Sequence, residues 1–296
     1  MKVLIITGGD SSEREISLLS ASNVKVALEE NNHEVTLYDL LDGYNKITQI
    51  ATAFDILFPV LHGEEGEGGP LYEFLSKINK PLVGTRNFKG VREAWLKIPF
   101  KKWCDKNGIR TAPWKEIKNG KDIVSFGFPC VLKASNGGSS KEVAILRSKA
   151  DLDKEDAQRI LSLKTPLMVE EYLPGIEVTQ TIIAGQAYPL LEIVPPEGEF
   201  FSYENKYTPR TKEVPFAPSV PQKVQDEIKE IALKIHEHFD LGTYSRTDFI
   251  VHEGKPYVLE VNTIPGLTSG SLIPVSAKAK GLSFNDFVEE LLKSVD

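Results

Sequence analysis

Four consecutive apolar residues, Val3 to Ile6, stop at Thr7-Gly8-Gly9 near the start of the 296-residue chain. A strand that is apolar at every position, rather than at alternate ones, is covered on both faces, as in a parallel sheet flanked by helices. The next segment, DSSEREISLLSASNVKVALEENN, supports that reading. Ser12 and Glu15 have capping-box spacing, and Ile16, Leu19, Val24 and Leu28 form a helical stripe. Val35 and Leu37 alternate in a second strand, and Phe54 to Leu61 forms a third, followed at once by HGEEGEGG. Strand, glycine turn, helix and strand in this order predict a parallel α/β unit. Ligands in such sheets gather at the carboxyl ends of strands, which marks the loops Gly8 to Glu15 and His62 to Gly69. The glycines are equally readable as tight turns, and no G-x-G-x-x-G dinucleotide fingerprint is present.

A boundary is expected near Gly84 to Asn87, after a short strand Pro81 to Val83. A helix from about Val91 to Asn107 must kink or restart at Pro99. Phe128 to Ala134 and Val143 to Leu146 read as paired strands joined by SNGGSSKE, followed by a polar helix Asp151 to Leu161 and a strand Leu167 to Tyr172. Two hairpins come next, Glu177 to Val194 turning at Ala184-Gly185-Gln186, and Tyr244 to Asn262 turning at His252-Glu253-Gly254. Between them, Gln222 to Phe239 presents Val224, Ile228, Ile231 and Ile235 on one helical face, and a capped helix from Ser283 to Lys293 follows the second. The fold class is therefore α+β built onto an α/β start. Hydrophobic residues at 41% and charged residues at 26% fit a soluble globular chain. A net charge of -7 argues against general nucleic-acid binding, and no run reaches membrane-spanning length, so neither partner is expected. MKVLIITGGD is too short for a signal sequence, and Cys104 and Cys130 lack metal-type spacing. A cytoplasmic location is expected.

Near the end of the second hairpin, Glu260 and Asn262 stand where an apolar strand would place core residues. Residues two apart on a strand share a face, so these side chains lie side by side, as do Arg246 and Asp248 on the preceding strand. Pairing across the turn places Asp248 near Glu260. Asp, Glu and Asn without His or Cys describe a hard-cation site of the Mg²⁺ kind, which usually takes further ligands from phosphates. A salt bridge from Arg246 to Asp248 or Glu260 explains the same charges without a metal. If phosphates bind, Ser135 to Ser140 offers a glycine-rich flap between two strands, since no P-loop is present. Lys133 and Lys97 lie nearby in the chain.

Seven segments in order, GGDSSEREISL, LHGEEGEGG, KASNGGSS, VEEYLPGIEVT, FSYENKYT, GTYSRTDF and LEVNTIPGLTSGSL, make the chain resemble the ATP-grasp superfamily, and within it the D-alanine–D-alanine ligases. The resemblance implies three domains: residues 1–86 as an N-terminal parallel α/β domain, 87–169 as the central subdomain with the flap, and 170–296 as the C-terminal subdomain with the metal site and a lid at about 200–218. It implies ATP as co-substrate and two Mg²⁺ ions, with Mn²⁺ as an alternative, held by Asp248, Glu260 and Asn262. Lys97 and Lys133 match phosphate-contacting lysines. Glu170 and the backbone of Leu173 match adenine-contacting positions, and Glu177 the ribose position. Glu13 matches the carboxylate that receives the first substrate's ammonium. His62, Arg246, Gly266, Ser271 and Leu272 match positions around the substrate carboxylates and the reacting centre. Ser139, Lys206 and Tyr207 match lid side chains, and Tyr at the last position accompanies dipeptide rather than ester formation in the family.

The implied activity is D-alanyl-D-alanine synthesis for peptidoglycan, through an acyl phosphate, in a cytoplasmic homodimer. Another ATP-grasp ligase, joining a different carboxylate and amine or a D-hydroxy acid, and a non-catalytic ATP-binding protein are the alternatives. The chain departs from the family's usual residues at Gly68, Tyr72-Glu73, Leu96 and Lys141-Glu142.

Overall fold

The computed structural model describes residues 1–138, 141–196 and 210–295. The first apolar run forms β1 (Lys2–Thr7), which lies between β2 (Glu34–Asp39) and β3 (Ile56–Pro59) with all three strands parallel. Its continuous apolarity has the expected cause, because alternate side chains feed two different cores. Val3 and Ile5 pack with Val24, Leu28 and Phe287, while Leu4 and Ile6 pack with Leu71, Val91 and Phe100.

The first helix, Arg14–Glu30, corrects two expectations. Ser12 does not cap it; instead the backbone N–H of Glu13 donates to Ser11 Oγ at 3.2 Å. Its buried face is also rotated from the apolar stripe: Ser17, Ser20, Ala21, Val24, Ala27 and Leu28 face inward, and Leu19 is 52% exposed. The small polar residues are inside because they meet the loop after β3. Ser17 Oγ donates to Glu13 O and accepts from the backbone N–H of His62 at 2.9 Å. Hydroxyls thus hold the two ligand-marked loops together.

The second sheet has the order β4-β7-β5-β6, with β4 at Trp114–Ile117, β5 at Cys130–Ala134, β6 at Val143–Leu146 and β7 at Leu167–Glu171. The third has the order β11-β10-β8-β12-β13, with the short β9 (Gln186–Ala187) pairing β8 (Ile176–Ile183). Its remaining strands are β10 (Leu191–Val194), β11 (Lys212–Pro215), β12 (Tyr244–His252) and β13 (Lys255–Asn262). Both hairpins turn as the sequence predicts, on residue pairs with positive φ: Ala184-Gly185 (49° and 69°) and Glu253-Gly254 (48° and 71°). Two such residues match the right-handed twist of the flanking strands.

Three boundaries differ from expectation. The helix before the second sheet is two helices, Phe88–Trp95 and Lys97–Lys106, broken at Leu96 (ψ 116°) so that Pro99 falls in a first turn, where its missing N–H costs nothing. Phe100, Trp103 and Cys104 of the second helix share a core with Phe239 and Leu241, whereas the second sheet builds its own core from Ile117, Leu132, Val169 and their neighbours. Residues 88–106 therefore pack outside the central unit, and the expected division at 169/170 falls inside β7, whose partners β4 and β5 are both in the second sheet. Finally, within the expected lid span of 200–218, residues 200–209 lie outside the described residues, and Lys212–Pro215 is an edge strand paired antiparallel with β10. With Val214 as its one aliphatic residue and Pro215 at its end, that strand carries no apolar alternation to read. No helix among the described residues is long and apolar enough to cross a membrane.

Candidate active site

The hairpin β12–β13 answers why a carboxylate and an amide end an apolar strand. From the turn, Lys255 pairs with His252, Tyr257 with Ile250 and Val258 with Phe249. In a straight strand Glu260 would then share the core-facing side of Pro256 and Val258. A β-bulge at Leu259 intervenes: the next pairs are Glu260 with Asp248, Val261 with Thr247 and Asn262 with Arg246. The extra residue reverses the alternation. Val258 and Val261 are both buried, while Leu259, Glu260 and Asn262 keep partial exposure. Four polar side chains are thereby gathered on one sheet face.

The ion pair that the sequence offered as the metal-free reading is present. Arg246 Nε and Nη2 donate to Asp248 Oδ1 and Oδ2, both at 2.9 Å. Thr179 Oγ1 donates to Asp248 Oδ1 at 2.5 Å, and Asn262 Nδ2 to Oδ2 at 3.0 Å. Glu260 turns instead to Lys97, whose Nζ lies 3.2 Å from Oε2 and donates to Gly137 O at 2.8 Å. Among the described residues, no group of three or more His, Cys, Asp or Glu side chains forms a metal cage. Two carboxylates and an amide oxygen on one face fit an ion such as Mg²⁺, which completes its shell with water and phosphate oxygens.

Beside this face, a cavity of about 130 Å³ opens between the second and third sheets. Val131, Val143 and Ile145 form one wall and Ile250 and Leu259 the other. Glu171, Tyr172, Leu173 and Glu177 border it, and Lys133, Asp248 and Glu260 stand among its lining residues. Parallel apolar walls with a chain edge and a lysine suit a planar base joined to an anionic tail. The bulge thus places Leu259 in the wall and the adjacent Glu260 on the polar face. If a planar base binds there, Leu259→Ala is expected to raise the KM of the ligand that carries it about tenfold with kcat nearly unchanged, because such contact is the same in ground and transition states. A fall in kcat with KM unchanged, in steady-state kinetics, contradicts this assignment.

Glu170 also lines this cavity. Its carboxylate is ion-paired with both Lys101 and Lys133, and all three side chains are buried. Burial opposes the charge on Glu170, yet the two ammonium groups hold its carboxyl below the usual glutamate range. Sequence reasoning missed Lys101. The signal was available, since Lys97 and Lys101 are one turn apart on the same helix and share a face.

The loops of the first sheet form the other half of the site. A cleft of about 390 Å³ is lined by Ser11, Ser12, Glu13, Gly63, Glu64 and Trp95 on one side, and by Asn136, Gly137, Gly138, Lys141 and Glu142 on the other. His62 Nδ1 lies 3.3 Å from Glu67 Oε1, and Nε2 lies 3.4 Å from Ser20 Oγ. Glu67, also missed, is buried, and its burial raises its carboxyl above the usual range against the pull of His62. A Cβ on Gly138 would stand 3.3 Å from Glu67 Oε2 and 3.4 Å from Glu13 Oε2, so the bare glycine backbone approaches both acids. Lys141, at a position where the resemblance implies valine, donates to Ser12 O and Oγ at 3.1 and 3.0 Å. Tyr72, a further departure, is fully buried in the first core.

Ser271 occupies the N-cap position of the helix Leu272–Ala279 without capping it, its Oγ accepting instead from Thr268 N at 3.2 Å, and stands close to Gly266, where a Cβ would come within 2.8 Å of Ser271 Oγ. The side chain of Leu272 packs with Leu191 and Ile193, which leaves its backbone as the part available to a ligand. Burial disfavours the charge on Arg246, but Asp248, Glu260 and Glu67 outweigh it, so the two halves of the site share one electrostatic field. Ser139, Lys206 and Tyr207 lie outside the described residues.

Residues 98–293 match the family model described as D-ala D-ala ligase C-terminus. The D-alanine–D-alanine ligase of Maridesulfovibrio salexigens is 38% identical over 301 residues, covering 99% of this chain and 98% of its own. That of Aquifex aeolicus is 35% identical, covering 99% and 100%. Among solved structures, the D-alanine–D-alanine ligase of Bacillus anthracis complexed with ATP is similar with a TM-score of 0.85 at 27% identity, over 99% of this chain and 97% of that one. The VanG D-Ala:D-Ser ligase of Enterococcus faecalis is similar with a TM-score of 0.80 at 25% identity, over 99% and 98%.

Proposed function

The chain belongs to the D-alanine–D-alanine ligase family, and from that premise we propose that it joins two D-alanine molecules with conversion of ATP to ADP and phosphate, by way of an acyl phosphate. The observation that carries this reading is the bulged pairing of Asp248 with Glu260 between the apolar cavity and the cleft of Glu13.

A carboxylate resists amine attack because its charge repels nucleophiles and oxide is a poor leaving group. Phosphorylation removes both obstacles. The carboxylate oxygen of the first D-alanine attacks the γ-phosphorus, and the bond to ADP breaks. The amine of the second then attacks the acyl carbon, a tetrahedral oxyanion forms, and phosphate departs. The nucleotide base occupies the cavity walled by Val131, Ile145, Ile250 and Leu259, with Leu173 and Glu177 at its border. Lys97 and Lys133 hold the phosphates. Asp248, Glu260 and the Asn262 amide oxygen would hold Mg²⁺. When bound, that ion supplies positive charge that spreads the negative charge of the transferring phosphoryl group.

Glu13 takes the ammonium of the first D-alanine, beside His62 and Glu67. Arg246 and the backbone N–H of Gly266 stabilise the oxyanion, and Ser271 fixes the turn that presents Gly266. The acyl phosphate must be kept from water. On the resemblance alone, that role is assigned to the glycine-rich flap and to Ser139, Lys206 and Tyr207. Action in the cytoplasm as a homodimer completes the proposal.

The test is ADP release with ATP, Mg²⁺ and a panel of D- and L-amino acids and D-hydroxy acids, with products identified by mass. D-Alanine alone is expected to support turnover, yielding D-alanyl-D-alanine. Turnover with L-amino acids and not with D-alanine, or no ADP release with any pair, overturns the reading.

A further inference from the structure

The cluster Lys101–Glu170–Lys133 holds two ammonium groups against one carboxylate in a buried place. Lys133 alone would satisfy the charge of Glu170, and it also faces Glu260 and Glu177, so the second lysine on Glu170 needs a reason of its own. The two lysines are not equivalent. Lys133 borders the cavity between the second and third sheets, and Lys101 is absent from its lining. Lys101 lies behind Glu170, 1% exposed, and is anchored a second time by donating to Thr111 Oγ1 at 2.6 Å; its burial lowers its pKa below the usual lysine range, against the pull of its ion pair with the Glu170 carboxylate. Burial disfavours the charge on Lys133, but the carboxylates of Glu170, Glu260 and Glu177 outweigh it and raise its pKa above the usual lysine range, so it stands among three acids at the edge of the cavity. An anion entering that cavity meets Lys133 and cannot meet Lys101.

We propose that Lys101 is a positioning residue, the resident counter-ion of Glu170, whose presence lets Lys133 turn from Glu170 to the phosphates of ATP. The inference rests on the nucleotide reading of this cavity. Without Lys101, the departure of Lys133 would leave a buried, unpaired carboxylate, and breaking a buried pair in this way is strongly unfavourable. Lys133 would then remain on Glu170, and the phosphates would lose a cation. With Lys101 in place, Glu170 keeps one ammonium in both states. No bond is made or broken in the exchange; one charge moves from one anion to another.

The test compares ATP with adenosine, which enters the same slot without phosphates. Binding of both is measured by calorimetry on the wild-type protein, Lys101→Met, Lys101→Arg and the double variant Lys101→Met/Glu170→Gln, with melting curves to confirm folding. Lys101→Met is expected to weaken ATP at least about tenfold while changing adenosine less than about twofold. Lys101→Arg restores ATP binding, because a buried guanidinium still neutralises Glu170. In the double variant the ratio of ATP to adenosine affinity returns toward the wild-type value, since no carboxylate remains to retain Lys133. Rescue by a second deletion is not expected of damage to packing. Equal weakening of ATP and adenosine in Lys101→Met, or a ratio the double variant does not restore, overturns the role of Lys101. Wild-type protein that binds neither compound overturns the nucleotide reading, and this inference with it.

Discussion

Glu260→Gln lowers kcat/KM by at least about a hundredfold and leaves the protein folded. The magnitude follows from what one well-placed charge contributes to a transition state in a water-poor site, about a hundred- to a thousandfold. Glutamine preserves volume and the β13 hydrogen bonds while removing half of the carboxylate pair that the bulge creates. Two further consequences separate this from general damage. The Mg²⁺ concentration giving half-maximal rate rises, because one anionic ligand is lost. Thermal stability changes little, because the Glu260 side chain is 24% exposed and Lys97 keeps its bond to Gly137 O. Initial rates across a Mg²⁺ titration, beside melting curves, measure both. Near-normal turnover at ordinary Mg²⁺ contradicts the metal assignment and leaves Glu260 as a sheet-face partner of Lys97.

Gly242→Ala produces the largest expected loss of stability. Gly242 has φ of 73°, where an L side chain is strained, and its Cβ would lie 1.8 Å from the carbonyl oxygen of Gly84 and 2.5 Å from its carbon. Neither atom belongs to a flexible side chain that can turn aside. The contact is also a seam between the parts of the molecule. Thr243 N donates to Gly84 O at 3.1 Å, and Gly84 N donates to Thr243 Oγ1 at 2.8 Å. Val83 and Tyr244, the residues just outside this exchange, are buried in one core with β1 and β3. An added methyl group pushes the first sheet away from the start of β12, and with it the cleft of Glu13 and His62 away from Arg246 and Asp248. A cost above about 3 kcal/mol is expected from overpacking together with backbone strain. That corresponds to a fall in Tm of roughly 5 °C or more for a chain of this size. Calorimetry checks it; an unchanged Tm means that the seam yields without cost and does not set the spacing of the two halves.

The elements that were legible in the sequence are those whose physics is local. A two-residue turn with glycine at its second position announces a hairpin, and both hairpins form there. An unbroken apolar strand announces cover on both faces, and β1 has it. The partnership of Asp248 with Glu260 was anticipated, but the bulge that makes it was not. Its trace is the apolar doublet Val258-Leu259, which breaks the alternation of β13 just before Glu260. Val24 and Leu28 of the helix Arg14–Glu30 face inward as expected, but Leu19 does not, because hydrophobicity alone ranks it above Ser17 and Ser20. Tertiary contact with His62 decides otherwise, and no local pattern reports it. Lys101 and Glu67 were passed over for the same reason: a buried charge is visible only once its partner is in place. That the helices Phe88–Trp95 and Lys97–Lys106 pack on a core built by distant parts of the chain is likewise reported by no local pattern.

The account stands most directly on the path of one oxygen atom. With D-alanine carrying ¹⁸O in both carboxylate oxygens, ATP and Mg²⁺, the acyl phosphate route moves one labelled oxygen from carbon to phosphorus. Each D-alanyl-D-alanine formed is then accompanied by one inorganic phosphate containing a single ¹⁸O, measured by mass spectrometry. Dipeptide formed with unlabelled phosphate, or labelled phosphate absent while ADP accumulates, contradicts activation of the carboxylate by ATP at this site.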